Sequence, residues 1–116
     1  MSDKRFKIVN TNSLNVVTCP CGTVKRAFTD DPDQVASLHV VEISEKSRVH
    51  YHKRMTEIYF VLEGSGQIEL DGLRFDIESG SSIMIKPGCR HRAIGKLKII
   101  NIPIPAFDPE DEYFDD

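Results

Sequence analysis

Residues 50–64 read HYHKRMTEIYFVLEG, two histidines one residue apart leading into an alternating apolar run. Along an extended chain residues i and i+2 share a face, so the imidazoles of His50 and His52 project together. After the short KRMT connection, Glu57 opens the run EIYFVLEG, whose β-branched and aromatic residues read as a strand. A tight connection brings the Glu57 carboxylate back beside the two imidazoles. Alternation then places Glu57, Tyr59, Val61 and Glu63 on one face and Ile58, Phe60 and Leu62 on the other. With Glu57 turned inward, the second face is wholly apolar and points outward. It calls for cover from a second sheet, the N-terminal segment or another copy of the chain, and a homodimer is the expectation.

The same grammar extends in both directions. VASLHVVEIS (35–44), QIEL (67–70), LRFDI (73–77), SSIMI (81–85) and KLKIINIPI (96–104) read as strands. Gly64-Ser65-Gly66, Ser79-Gly80 and Pro87-Gly88 read as breaks between them, and Asp71-Gly72 is a two-residue hairpin signal. Helical periodicity is weak. Strands at this spacing predict an all-β sandwich or barrel in a single domain. We expect an N-terminal segment over 1–34 giving an edge strand and a loop, the barrel over 35–104, and an extended acidic tail over 105–116. Pro105 and Pro109 keep that tail from being helical. Such a tail serves as a solubilising strap, and Phe107 and Phe114 give it the means to pack.

Composition narrows the function. The final ten residues hold six acids and no base, which turns a net charge of −3 for the chain into +3 for the rest. A body so mildly basic, without a nucleic-acid-reading motif, argues against a nucleic-acid partner. No apolar run is long enough for a membrane span or a signal peptide, so a cytoplasmic protein is expected. Three cysteines, in that setting, predict reduced thiols. Cys19 and Cys21 sit in a turn made by Pro20 and Gly22, and Cys89 in another after Pro87-Gly88.

The chemistry gathers around the opening stretch. Two imidazoles and a carboxylate on neighbouring strands make a facial N,N,O set suited to a first-row divalent ion. His91 follows Gly88 by three residues, and a hairpin pairing 81–85 with 57–63 carries it toward the same interior. Spacing alone leaves two readings open, hydrogen-bonded core histidines or metal ligands. His39 reads as a structural histidine on its strand. Lys53, Arg54, Arg90 and Arg92 flank the candidate ligands. Either they reach solvent or, for Arg54 and Arg90 above all, they rim the mouth and attract an anionic substrate.

In these residues the chain resembles the cupins, small jelly-roll proteins with a first motif G-x5-H-x-H-x3–4-E-x6-G and a second G-x5-P-x-G-x2-H-x3-N. His50, His52, Glu57 and Gly64 match the first, and Gly80, Pro87, Gly88 and His91 match the second more loosely. The leading glycine is missing near Glu45, and Gly95 falls near the place of the asparagine. The resemblance implies a jelly-roll barrel with one divalent transition metal, iron, manganese, nickel, zinc or copper, held by His50, His52, Glu57 and His91. It implies dioxygenase- or isomerase-like metal chemistry on a small molecule, with Tyr59 as a proton donor or acceptor. The competing expectation is a binding or sensor module that holds a small ligand without turnover.

Overall fold

The computed structural model describes residues 5–45 and 47–115; the first four residues of the N-terminal segment, Lys46, and Asp116 of the tail lie outside them. The described residues form seven strands: β1 (Val17–Cys19), β2 (Gly22–Ala27), β3 (Leu38–Ile43), β4 (Thr56–Leu70), β5 (Leu73–Glu78), β6 (Ser82–Ile85) and β7 (His91–Ile104). All pairings are antiparallel, in the order β1-β2-β3-β7-β4-β5, with β6 lying on β4 beside β5. This is an all-β architecture, as the strand spacing predicted, of the jelly-roll type that the resemblance implied. The N-terminal segment supplies two strands, and its β1–β2 hairpin extends the sheet beyond β3.

β4 differs most from its sequence reading. Gly64-Ser65-Gly66 is no break: β4 runs through it and pairs with β7 from Thr56↔Ile104 to Leu70↔His91. These glycines serve close approach. Gly66 faces Gly95 across the ladder, and a Cβ on Gly66 would run into the Ile94 carbonyl oxygen. The two strands therefore cross tightly where any side chain would hold them apart. A register shift between Val61 and Glu63 also ends the expected alternation. Glu57, Tyr59 and Val61 are buried on the inner face, whereas the bulge turns Glu63 to solvent. Phe60 and Leu62 are exposed on the outer face, with Met84 of β6 and Ile104 of β7 exposed nearby. The Asp71-Gly72 hairpin is present, both residues at positive φ (49° and 85°), as a two-residue turn of this type requires.

Two register lines organise the interior. Val24, Val41, Ile99 and Val61 are partners in succession across β2, β3, β7 and β4, and all four are buried. Two residues along each strand lies a parallel line of different character: Arg26, His39, Asn101 and Tyr59. An apolar floor thus runs beside a polar shelf, and Glu57 is the next inward residue of β4.

The reduced-thiol expectation is corrected for two of the three cysteines. Cys19 and Cys21 form a disulfide, because the turn at Pro20 brings their Cα atoms to 5.2 Å, within bridging range. Cys89 is free and half-buried. The tail is packed against the barrel. Tyr113 pairs through its backbone with Tyr51, and their rings stack at 5.5 Å. Arg48 lies over Phe114 at 4.0 Å.

Candidate metal centre

The four residues singled out in sequence meet in one place. His50 precedes β4 in an extended stretch and pairs through its backbone with His91, the first residue of β7. Glu57 stands near the start of β4, opposite Ile85 of β6, the pairing that carries the chain back toward His91. All four side chains are buried, and one potential ligand atom from each lies within 4.8 Å of the others.

Their hydrogen bonds fix how they point. His50 Nδ1 lies 3.0 Å from the Arg48 carbonyl oxygen, His52 Nδ1 2.6 Å from that of Asp111, and His91 Nδ1 2.8 Å from that of Cys89. A carbonyl only accepts, so each Nδ1 carries a proton, and the Nε2 turned toward the cluster is the ring atom left to ligate. Glu57 is held from one side: Asn101 Nδ2 donates to Oε2 at 2.6 Å. Its Oε1 lies 3.0 Å from Nε2 of both His52 and His91, yet none of these three buried atoms makes a hydrogen bond. Electron-pair donors that converge without bonding one another suit a cation. Burial, then the neighbouring His91, lowers the His50 pKa to about 4, leaving its imidazole neutral and free to ligate. Burial alone would raise the Glu57 carboxyl, but His52 and His91 outweigh it and hold the carboxylate well below its ordinary range.

The other candidates divide. Tyr59 is buried with its ring 6.1 Å from that of His91, and burial followed by the Glu57 charge raises the phenol well above 10. Arg54 and Arg90 do not line the cavity beside the cluster. The acidic tail takes them instead. Arg54 Nη2 donates to Asp108 at 2.9 Å, while Arg90 Nε and Nη2 donate to Asp115 at 2.9 and 2.8 Å, its guanidinium 3.5 Å above the Tyr51 ring. Lys53 lies over Tyr113, and Arg92 pairs with Glu69.

The cavity encloses about 430 Å³, its open mouth included. Several of its lining residues were missed in sequence. Asn101 had a signal: His91, Ala93, Leu97, Ile99 and Asn101 share the buried face of β7, and Asn101 is the polar exception among the residues after His91. His39 is structural, as expected, bonded to Ser37 Oγ at 2.9 Å and packed edge-on against Phe107 at 5.4 Å. It also lines the cavity, where burial lowers its pKa to about 4. Arg26, Phe107, Glu112 and the disulfide complete the wall. They come from segments outside 35–104, and no local pattern ties them to the cluster.

A family model described as the cupin domain matches residues 37–97. The chain is a cupin. An uncharacterized protein of Methanocaldococcus jannaschii is 36% identical to the cupin over 76 residues, 62% of this chain and 61% of that one. The match thus spans less than two thirds of that relative. A crystal structure of a protein from Planctomyces limnophilus, 38% identical, superposes with a TM-score of 0.89 over 97% of this cupin and 100% of that chain. Pac13 of Streptomyces, a nucleoside dehydratase also seen with uridine, superposes with a TM-score of 0.80 at 18% identity, over 95% of this cupin and 90% of that chain. At that identity the likeness extends to the fold alone.

Proposed function

We propose that this cupin binds one divalent transition metal ion, iron, manganese, nickel, zinc or copper, on His50, His52, Glu57 and His91, and acts with it on a small anionic molecule. The observation that carries the reading is the convergence of His52 Nε2, His91 Nε2 and Glu57 Oε1 in a buried space where none makes a hydrogen bond. The donor set fits such an ion: three imidazoles with Nε2 turned inward and a carboxylate with one oxygen held aside. When bound, the ion would supply Lewis acidity, or redox chemistry if it is iron or copper.

The chain's own residues prepare the site. Three backbone carbonyls orient the imidazoles, and Asn101 anchors Glu57 Oε2. The apolar line Val24–Val41–Ile99–Val61 excludes water from one side. Tyr59, kept protonated by burial and by Glu57, serves as a proton donor and not as a base. Isomerase- or dioxygenase-type metal chemistry fits these parts. One observation favours a binding module instead: His39, the cavity's remaining imidazole, is tied to Ser37 and is not a free base.

Elemental analysis of untagged protein beside a His50→Ala/His91→Ala variant tests the centre. Near-stoichiometric metal in the parent that disappears in the variant is expected. A parent that stays empty after reconstitution with each ion ends the metal reading. Incubation of the loaded protein with small keto acids and sugars then separates turnover from a ligand recovered unchanged.

The outer face of β4 bears on assembly. Phe60, Leu62, Met84 and Ile104 are exposed together beside the half-buried Ile58. A homodimer through this face belongs to the same proposal.

A further inference from the structure

One of the two readings of the sequence made Arg54 and Arg90 anchors for an anion, and in the structure both pair with acids of the tail. Arg26 is placed differently. It stands on the polar shelf of β2 and lines the cavity, next in register to His39. Its guanidinium lies over the Phe107 ring, 4.1 Å from the centroid, which fixes the plane in which its N–H groups point. Arg54, Arg74, Arg90 and Arg92 each pair with a carboxylate, whereas Arg26 has no such bridge among the described residues. Its Nε is buried and has no hydrogen-bond partner. A buried donor left unbonded is costly, and the cavity is the place from which a partner can come.

We infer that Arg26 is the carboxylate-binding residue of the cavity, so that the molecule held there is a monoanionic carboxylate. A fixed planar guanidinium presents two parallel N–H groups that match the two oxygens of a carboxylate. Charge agrees with this choice. Arg26 and a divalent ion at the cluster, set against Glu57 and Glu112, leave the cavity with one net positive charge. One carboxylate balances that, and a phosphate dianion exceeds it. The assignment rests on the proposed metal centre for what holds the other end of the molecule and for the net positive charge. Without the ion the same count is one net negative, so binding to the metal-free chain is weaker, and the contact with Arg26 is what remains to be read.

The test therefore uses the metal-free full chain. Propionate, propionamide and inorganic phosphate are each titrated while the arginine Nε–Hε resonances are followed by NMR. Saturable movement of the Arg26 resonance with propionate and none with propionamide is expected. Arg26→Gln should weaken propionate binding at least tenfold, Arg90→Gln should leave it unchanged, and Arg26→Gln should take up as much metal as the parent. Propionamide binding as well as propionate, phosphate binding more tightly, or Arg26→Gln binding like the parent would each overturn the assignment. Should Arg26→Gln fail to fold, Arg26→Lys keeps the charge and loses the fork. A several-fold loss with lysine supports the carboxylate contact, and parent-like affinity overturns it. A parent that takes up no metal overturns the proposed centre, and the propionate titration remains decisive for Arg26.

Discussion

Asn101 shows how much one side chain does here. By donating to Glu57 Oε2 it decides which carboxylate oxygen faces the histidines. Partners of this kind typically govern metal affinity by 10- to 100-fold. Asn101→Ala should therefore weaken metal binding by roughly that factor in a chelator competition, with all four ligand residues intact; an unchanged dissociation constant would refute its orienting role. The grouping of His50, His52, Glu57 and His91 was legible because local geometry brings them together, an i, i+2 pair, a short turn and a hairpin, while their reading as a ligand set came from the resemblance. Asn101 was readable only once the β7 alternation was counted from His91. Arg26 was not readable, since its place in the cavity depends on β2 pairing with β3 and on Phe107 arriving from the tail.

At the scale of elements, the tail is a clamp on the KRMT connection. The Asp111 carboxylate accepts backbone N–H bonds from Lys53 (2.9 Å), Arg54 (3.0 Å) and Met55 (2.9 Å), and its carbonyl holds His52. Burial works to raise the Asp111 carboxyl, but these donors outweigh it and keep it below the ordinary 3.8. A depressed carboxyl stabilises the fold above that ordinary value, and the contribution is lost as pH falls through the folded value. Asp111→Asn should cost roughly 1–3 kcal/mol in urea melts at neutral pH, and the gap from the parent should narrow in acid. A gap that stays constant into strong acid would remove the charge from the explanation. The sequence suggested a packed tail through its phenylalanines but hid Asp111 in an acidic run, where one buried carboxylate looks like its solvated neighbours. Asp71-Gly72 was readable because its positive φ angles are a local demand. Gly64-Ser65-Gly66 misled because its reason, the approach of Gly95, lies on another strand.

For the molecule as a whole, the strand rhythm sufficed for an all-β sandwich or barrel, because burying one face of a sheet imposes alternation wherever the strands lie. The jelly-roll type came from the resemblance in the histidine motifs. The proposed homodimer uses the opposite face, where Phe60 and Leu62 are exposed. Sedimentation at micromolar concentration should give a dimer, and Phe60→Glu should shift it to a monomer with little change in thermal stability. A parent that sediments as a clean monomer would remove the dimer.

The shelf of Arg26, His39, Asn101 and Tyr59 is drawn by backbone pairing, so its steps are the spacing between strands, about 4.8 Å each. From Asn101 to Arg26 is two such steps, roughly 10 Å along the sheet. The barrel thereby carries a graduated ruler across its cavity. A point mutation can change what is read at one mark, but the distance between marks changes only if a strand is added, lost or re-paired. For the carboxylate ligand proposed above, lengthening or shortening the span from Asn101 to Arg26 would take a bulge or a re-paired strand, and no side-chain substitution would do it.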